Sequence, residues 1–399
     1  MYENLAVIAI FAFIYSAIAG RMEKTIISGP MVFLGFGMAF GPLGLGVLDL
    51  DVGSADLRIL ADLTLALILF IDASNADMSV LKRHRKVPQR MLAIGLPLII
   101  LLGFGVGVLI FDELTFFELA ILATMLAATD AALGKAVITN EAVPASIREG
   151  LNAESGLNDG ICVPILFVFI ALAVGTEGGG NGLALKLVAQ EIGIGLVVGL
   201  GLTMVGALAL KFCWRRGWIT DIWGQFSVVT LAVSCFAVAQ SLHGSGYIAA
   251  FTGGLLFGVM AEQHKHKLLH AAEGTGEILA LITWVVFGAA VAGQVFEYFS
   301  WQVVLYAVLS LTLIRMLPIY LSLTGTKVDR NSKLFLGWFG PRGLASIVFA
   351  IIVLNENLPG GETLVITVAC TVCLSIVAHG LSANPLATAL AKKLSRSAG

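Results

Sequence analysis

The sequence predicts an all-α polytopic membrane protein of about thirteen transmembrane helices, arranged as inverted repeats around two broken helices. Three observations carry this expectation. The chain is 58% hydrophobic and 13% charged, against about 45–50% and about 25% in soluble domains. Its apolar runs approach the ~20 residues that cross a bilayer, with polar residues confined to short clusters between them. Two of the runs are interrupted at mid-depth by glycine, proline and charge. A soluble globular domain is excluded. The near balance of 24 Lys+Arg and 26 Asp+Glu gives no sign of nucleic-acid binding, and five cysteines in 399 residues make no disulfide framework.

The spans fall at roughly 5–20, 27–47, 55–73, 90–111, 117–139, 148–175, 186–211, 222–242, 245–262, 271–293, 300–324, 332–354 and 362–384. The first has no basic segment before it and no small-residue cleavage site before Arg21, so it reads as a retained helix and not as a signal peptide. After the thirteenth only a short tail with Lys392, Lys393 and Arg396 is expected, and the whole chain, 1–399, reads as one membrane unit.

Lys and Arg set the orientation. Nineteen lie on the odd-numbered connections and the C-terminal tail, and two, Arg58 and Lys186, on the even-numbered ones; Lys135, Arg315 and Arg342 fall within spans. Cytoplasmic loops carry the basic excess. The expected topology in the cytoplasmic (inner) membrane is therefore multi-pass, with the N-terminus outside and the C-terminus in the cytoplasm.

The interruptions are Thr129-Asp130-Ala-Ala-Leu-Gly134-Lys135 in span five and Gly337-Trp-Phe-Gly340-Pro341-Arg342-Gly343 in span twelve. Broken segments at corresponding places in two halves are a signature of inverted-repeat secondary transporters, whose half-helix ends meet near the bilayer midplane. With span seven as a linker, spans 1–6 would reappear as 8–13 in the opposite orientation. The halves share hydropathy and breaks, without residue-level similarity.

An ionisable residue within a span is expensive and by default a functional hypothesis. Asp62, Asp77, Glu118, Glu191 and Glu277 read as helix-end or loop carboxylates reaching water. Asp130, Glu154 and Asp159 lie deeper, with Asp72 intermediate. The densest polar cluster is Asn152-Ala-Glu154-Ser155-Gly156-Leu-Asn158-Asp159-Gly160. Helical spacing puts Ser155 and Asp159 on one face, with Glu154 and Asn158 about 100° round. Gly156 and Gly160 would let another backbone approach closely. The freed carbonyls of the span-five break and Thr129 would add oxygens, the ligand type that hard cations such as Na⁺ take. Two carboxylates this close resist joint ionisation, and Arg315 needs a partner in hydrocarbon. Pairing Arg315 with Glu154 would leave Asp159 to hold either a proton or a cation.

At this cluster the chain resembles a known family. Glu154-Ser155-Gly-Leu-Asn158-Asp159-Gly, with Thr129-Asp130 before it and Arg315 and Gly340-Pro-Arg342-Gly343 after it, is similar to the monovalent cation/proton antiporters of the NhaP and NHE type. The resemblance covers essentially the whole chain. It implies that Asp159 exchanges Na⁺ (or Li⁺ or K⁺) for H⁺, with Ser155 and Thr129 as ion ligands, and that Glu154 and Arg315 form a structural ion pair. Asn158 and Asp130 would support the crossed broken helices, and Arg342 would belong to the span-twelve break. It further implies a homodimer, with residues 1–85 and 222–293 containing the interface helices and 88–176 and 300–385 the ion-translocation core. No enzyme activity and no cofactor are expected; the ions are cargo. The chain departs from some members at span three, Phe70-Ile-Asp72-Ala-Ser-Asn75, where their acidic residue sits at a slightly different place, so Asp72 is not carried over as a ligand.

Two other classes fit less well. An intramembrane aspartyl protease using Asp130 and Asp159 would resemble a G-x-G-D pattern, but Asn158 stands at the second glycine and Glu154 and Arg315 have no task in that chemistry. An ion channel calls for symmetric pore helices or carbonyl filters, which the sequence lacks. Cys370-Thr-Val-Cys373 lies inside an apolar span without a soluble redox fold. His264-Lys-His266-Lys-Leu-Leu-His270 reads as a solvated basic loop, and His243 and His379 as residues satisfied by hydrogen bonds. Lys135 reads equally as funnel lining or as a snorkelling side chain.

Overall fold

The computed structural model describes residues 2–22, 25, 27–48, 55–76, 86–130, 133, 135–138, 140, 143–178, 181–262, 264–290 and 300–398, and every regular element among them is helical. The first half comprises α1 (Tyr2–Met22), α2 (Gly29–Phe40), α3 (Ala55–Asn75), α4 (Lys86–Ile110), α5 (Phe116–Met125), α6 (Lys135–Ile138) and α7 (Ala145–Gly178). The second comprises α8 (Asn181–Arg215), α9 (Asp221–Ser241), α10 (Gly246–Met260), α11 (Lys265–Ala290), α12 (Trp301–Leu311), α13 (Leu313–Ser322), α14 (Arg330–Trp338), α15 (Leu344–Asn355) and α16 (Gly361–Ala398). Each predicted span falls on one of these helices or on a consecutive pair. Among the described residues, eight helices are long and apolar enough to cross a membrane by length and composition.

Local sequence sets the ends that matter for the site. Thr115 caps α5 through a box with Glu118, whose carboxylate accepts from the Thr115 N–H at 2.8 Å while the Glu118 N–H donates to the Thr115 hydroxyl. Asp329 caps α14, accepting from the N–H groups of Asn331 and Ser332 at 2.9 and 3.1 Å. At 10 and 12 residues, α5 and α15 rise only about 15–18 Å, well short of a hydrocarbon layer ~30 Å thick. In span five the helix ends at Met125, four residues before the interruption the sequence predicts.

The helices sort by packing into two groups. One holds α2, α3 and α8 to α11, with α1 lying on α11; the other holds α4, α5, α7 and α12 to α16. α8, which falls outside the predicted segments, packs with the first group. The seam runs along α7, which packs on α3, α8 and α10. The two small residues anticipated there admit close neighbours: Phe251 of α10 lies directly over Gly160, where a Cβ would sit 2.1 Å from its ring, and Asp72 of α3 lies beside Gly156.

Of the carboxylates expected to reach water, Glu118 is placed differently. Glu118 is 1% exposed and also accepts from the Gly360 N–H at 2.6 Å, tying the start of α5 to the start of α16; its hydrogen bonds replace water. Asp62 accepts from the Tyr247 hydroxyl at 2.5 Å, a partner 185 positions away. Asp62 and Glu191 line a cavity of about 240 Å³ with Arg58, His243, Tyr247 and Glu356. Glu277 is exposed. Asp77, Gly134 and the Lys135 side chain lie outside the described residues.

Candidate functional site

The two breaks meet and cross. The Asp130 N–H donates to the Pro341 carbonyl at 2.8 Å, and an Asp130 carboxylate oxygen accepts from the Leu344 N–H at 3.0 Å. The carboxylate thus sits at the positive N-terminal end of α15, where a negative charge is favoured. Gly343 is required here, since a Cβ at that position would fall 2.0 Å from the same carboxylate. Arg342 reaches the other way: its Nη1 donates to the Ala127 and Ala128 carbonyls, both at 3.1 Å.

Backbone groups freed in an apolar environment need internal partners, and four carbonyls near the break, those of Met125, Ala127, Ala128 and Thr129, each have one. Met125 O accepts from the Ser346 hydroxyl at 2.9 Å, Ala127 O from Asn158 Nδ2 and Arg342, and Thr129 O from the Ser155 hydroxyl at 2.8 Å. Arg342 in turn donates its own N–H to Ser375 Oγ at 2.7 Å. The Ser375 side chain bonds His379 Nδ1 at 3.1 Å, and His379 Nε2 bonds the Trp338 carbonyl at 2.9 Å. His379 Nδ1 also lies 2.9 Å from the Ser375 carbonyl; α16 thereby braces the span-twelve break from behind.

On α7 the predicted faces are realised. Asp159 Oδ1 accepts from the Thr129 N–H at 3.2 Å, and Ser155 Oγ lies 3.5 Å from Thr129 Oγ1. One carboxylate, two hydroxyls and a backbone carbonyl therefore converge in a buried space, an all-oxygen set suited to a hard cation. One helical position round, Arg315 holds Glu154 in a two-pronged bridge, Nη1–Oε1 2.7 Å and Nη2–Oε2 2.9 Å, with both residues at most 1% exposed. Asn158 Nδ2 donates to the group formed by Ala127 O, Thr129 Oγ1 and Glu154 Oε1, at 3.1–3.2 Å, and so links the ion pair to the break.

The sequence residues Thr129, Asp130, Glu154, Ser155, Asn158, Asp159, Arg315 and Arg342 are thus brought together. Reading the sequence missed Cys162. It is fully buried one turn beyond Asn158, and its thiol donates to Asn158 Oδ1 at 3.1 Å. The i, i+4 spacing on a helix already carrying the cluster was the available signal. Asp72 lies within a turn of Asp159 along α7, through its packing on Gly156.

Comparison with known proteins decides the family. The chain matches the sodium/hydrogen exchanger transmembrane family over residues 7–389. It belongs to the sodium/hydrogen exchanger family. Among related proteins, a K(+)/H(+) antiporter NhaP of Alkalimonas amylolytica is 24% identical over 99% of this chain and 68% of its own length. A K(+)/H(+) antiporter NhaP2 of Shewanella sp. (strain MR-4) is 23% identical over 94% of this chain and 64% of its own. A probable Na(+)/H(+) antiporter of Schizosaccharomyces pombe is 24% identical over 74% and 41%. The exchanger chain thus spans about two thirds of the length of the bacterial relatives. Its fold matches that of the sodium proton antiporter MjNhaP1 from Methanocaldococcus jannaschii, with a TM-score of 0.80 at 21% identity over 98% of this chain and 99% of that one. Exchangers of this family are multi-pass membrane transporters, as the apolar helices require.

Proposed function

We propose that the protein is an electroneutral secondary antiporter that exchanges Na⁺, or Li⁺ or K⁺, for H⁺ by alternating access, with cation and proton competing for Asp159. The observation that carries this reading is the charge arrangement around α7. Glu154 is matched by Arg315, Asp130 is committed to the α15 N-terminus, and Asp159 faces Ser155 and Thr129. Loaded with a monovalent cation or with a proton, Asp159 is neutral in both states, and only a neutral site crosses hydrocarbon cheaply. Thr129 and Ser155 supply the remaining oxygens to the cation. Relatives named for K⁺/H⁺ and for Na⁺/H⁺ exchange support a monovalent cation without choosing one.

In the same reading the chain crosses the cytoplasmic membrane thirteen times, N-terminus outside and C-terminus inside, following the basic residues. It forms a homodimer through helices within 1–85 and 222–293, while 88–176 and 300–385 carry the ion. The test is proton flux in proteoliposomes, with each cation added in turn across a pH series. Asp159→Asn is expected to abolish exchange, because an amide neither carries a proton nor neutralises a cation. Ser155→Ala is expected to weaken apparent cation affinity and leave the pH dependence largely intact. Cation-driven proton movement by folded Asp159→Asn protein would remove Asp159 as the carrier.

A further inference from the structure

The end of α8 reverses through a turn that its own sequence builds. Gly217 adopts φ +69°, its N–H donates to the Trp214 carbonyl at 3.0 Å, and the Trp218 N–H returns to the Cys213 carbonyl at 3.0 Å. The returning Trp218 ring meets Phe212 edge-on with centroids 5.8 Å apart, and the Arg216 guanidinium lies 5.2 Å from the centroid of the same Phe212 ring. Arg216 is exposed beside the ring, which leaves its guanidinium N–H groups available to an outside acceptor.

Three helix ends converge at this turn. A Cβ on Gly224 of α9 would lie 2.9 Å from the Trp214 ring and 3.4 Å from Leu268 of α11, and Lys267 of α11 pairs with Asp221 of α9 at 2.8 Å. The histidine- and lysine-rich segment that the sequence presents as a separate loop is therefore packed against the α8–α9 corner. With Asp221 taken by Lys267, exposed Lys211, Arg215 and Arg216 have no carboxylate at ion-pair distance among the described residues. Beside them Trp218 and Trp223 are 68% and 69% exposed. Indole rings favour the boundary between hydrocarbon and headgroups.

We propose that this corner binds the headgroup phosphate of an anionic phospholipid. Arg215 and Arg216 donate to the phosphate oxygens, Lys211 adds charge, and the Trp218 and Trp223 rings flank the glycerol and upper acyl chain. The charge complementarity selects this occupant. A second copy of the chain packed here about a two-fold axis would set Lys211, Arg215 and Arg216 near their own equivalents, and a free phosphate ion would leave the indoles and Ile222 uncovered. The site is independent of which ion the protein exchanges.

The experiment is native mass spectrometry of the purified full chain in detergent, titrated with phosphatidylglycerol and with phosphatidylcholine of the same acyl chains. Wild-type protein is expected to bind phosphatidylglycerol more tightly, each removed charge weakening it by roughly fivefold. Lys211→Gln/Arg215→Gln/Arg216→Gln is expected to bind the two lipids about equally. Lys327→Gln/Arg330→Gln, exposed residues of another basic connection, is expected to keep the preference. Single Arg215→Gln and Arg216→Gln proteins, with intermediate preference, serve if the triple substitution fails to fold. Excess glycerol phosphate is expected not to displace the lipid. Equal binding of the two lipids by wild type, equal losses in the corner and control variants, or displacement by glycerol phosphate would overturn the proposal.

Discussion

Breaking the Glu154–Arg315 bridge from one side strands a charge that is nearly or completely shielded from solvent. Glu154→Ala or Arg315→Ala is therefore expected to cost about 3–5 kcal/mol, read as lost thermal stability and folding yield before any change in ion affinity. The double variant should lose less than the two singles combined, and a double-mutant cycle without coupling would dissolve the pair as a unit. Cys162 acts at the same scale. Its thiol fixes which end of the Asn158 amide faces Ala127, Thr129 and Glu154. Ser retains the donor and Ala does not, at nearly the same volume. Cys162→Ala is thus expected to lower apparent cation affinity by roughly twofold to tenfold, with Cys162→Ser close to wild type. Equal behaviour of the two variants in cation titrations of proton flux would reduce Cys162 to packing.

At the scale of elements, Asp329 sets the start of α14 and so the approach to the span-twelve break. Partial burial pushes its carboxyl up, but hydrogen bonds from the Ser332 hydroxyl and from the Ser332 and Asn331 N–H groups outweigh this and hold it below the ordinary aspartate range. The stabilisation is then complete above that ordinary range and is lost as the pH falls through the folded-state value. Asp329→Ala is expected to cost about 1 kcal/mol near neutral pH and less in acid; a Tm difference from wild type that stays flat down to pH 3 would contradict this. Helix existence and the two breaks were legible in the sequence because hydropathy and Gly-Pro punctuation are local signals. The end of α5 at Met125 was not, because Leu126 to Ala128 are good helix formers. The Ala127 and Ala128 carbonyls are drawn off by Arg342 and Asn158, residues far along the chain. Burial of Glu118 and the Asp62–Tyr247 hydrogen bond were hidden for the same reason, the partners Gly360 and Tyr247 being 242 and 185 positions away.

On the scale of the molecule, the charges where the two helix groups meet set the stoichiometry. Asn158 occupies the position beside Asp159 where a second aspartate would add a second exchangeable charge, and its amide is instead spent on the break and on Glu154. In the proposed exchange, the cation-loaded and proton-loaded states would then carry equal charge across the membrane. Membrane potential, worth about 2.3 kcal/mol per charge per 100 mV, should exert no net drive on the exchange. The direct measurement uses proteoliposomes at fixed Na⁺ and pH gradients without K⁺, with an inside-negative potential imposed by an inward gradient of a permeant anion such as thiocyanate. An equilibrium gradient that does not move with voltage is the predicted result. A shift would contradict one-for-one exchange at Asp159 and point to a second proton-carrying group, with Asp72 beside Gly156 and Asp130 at the crossing as the nearest carboxylates.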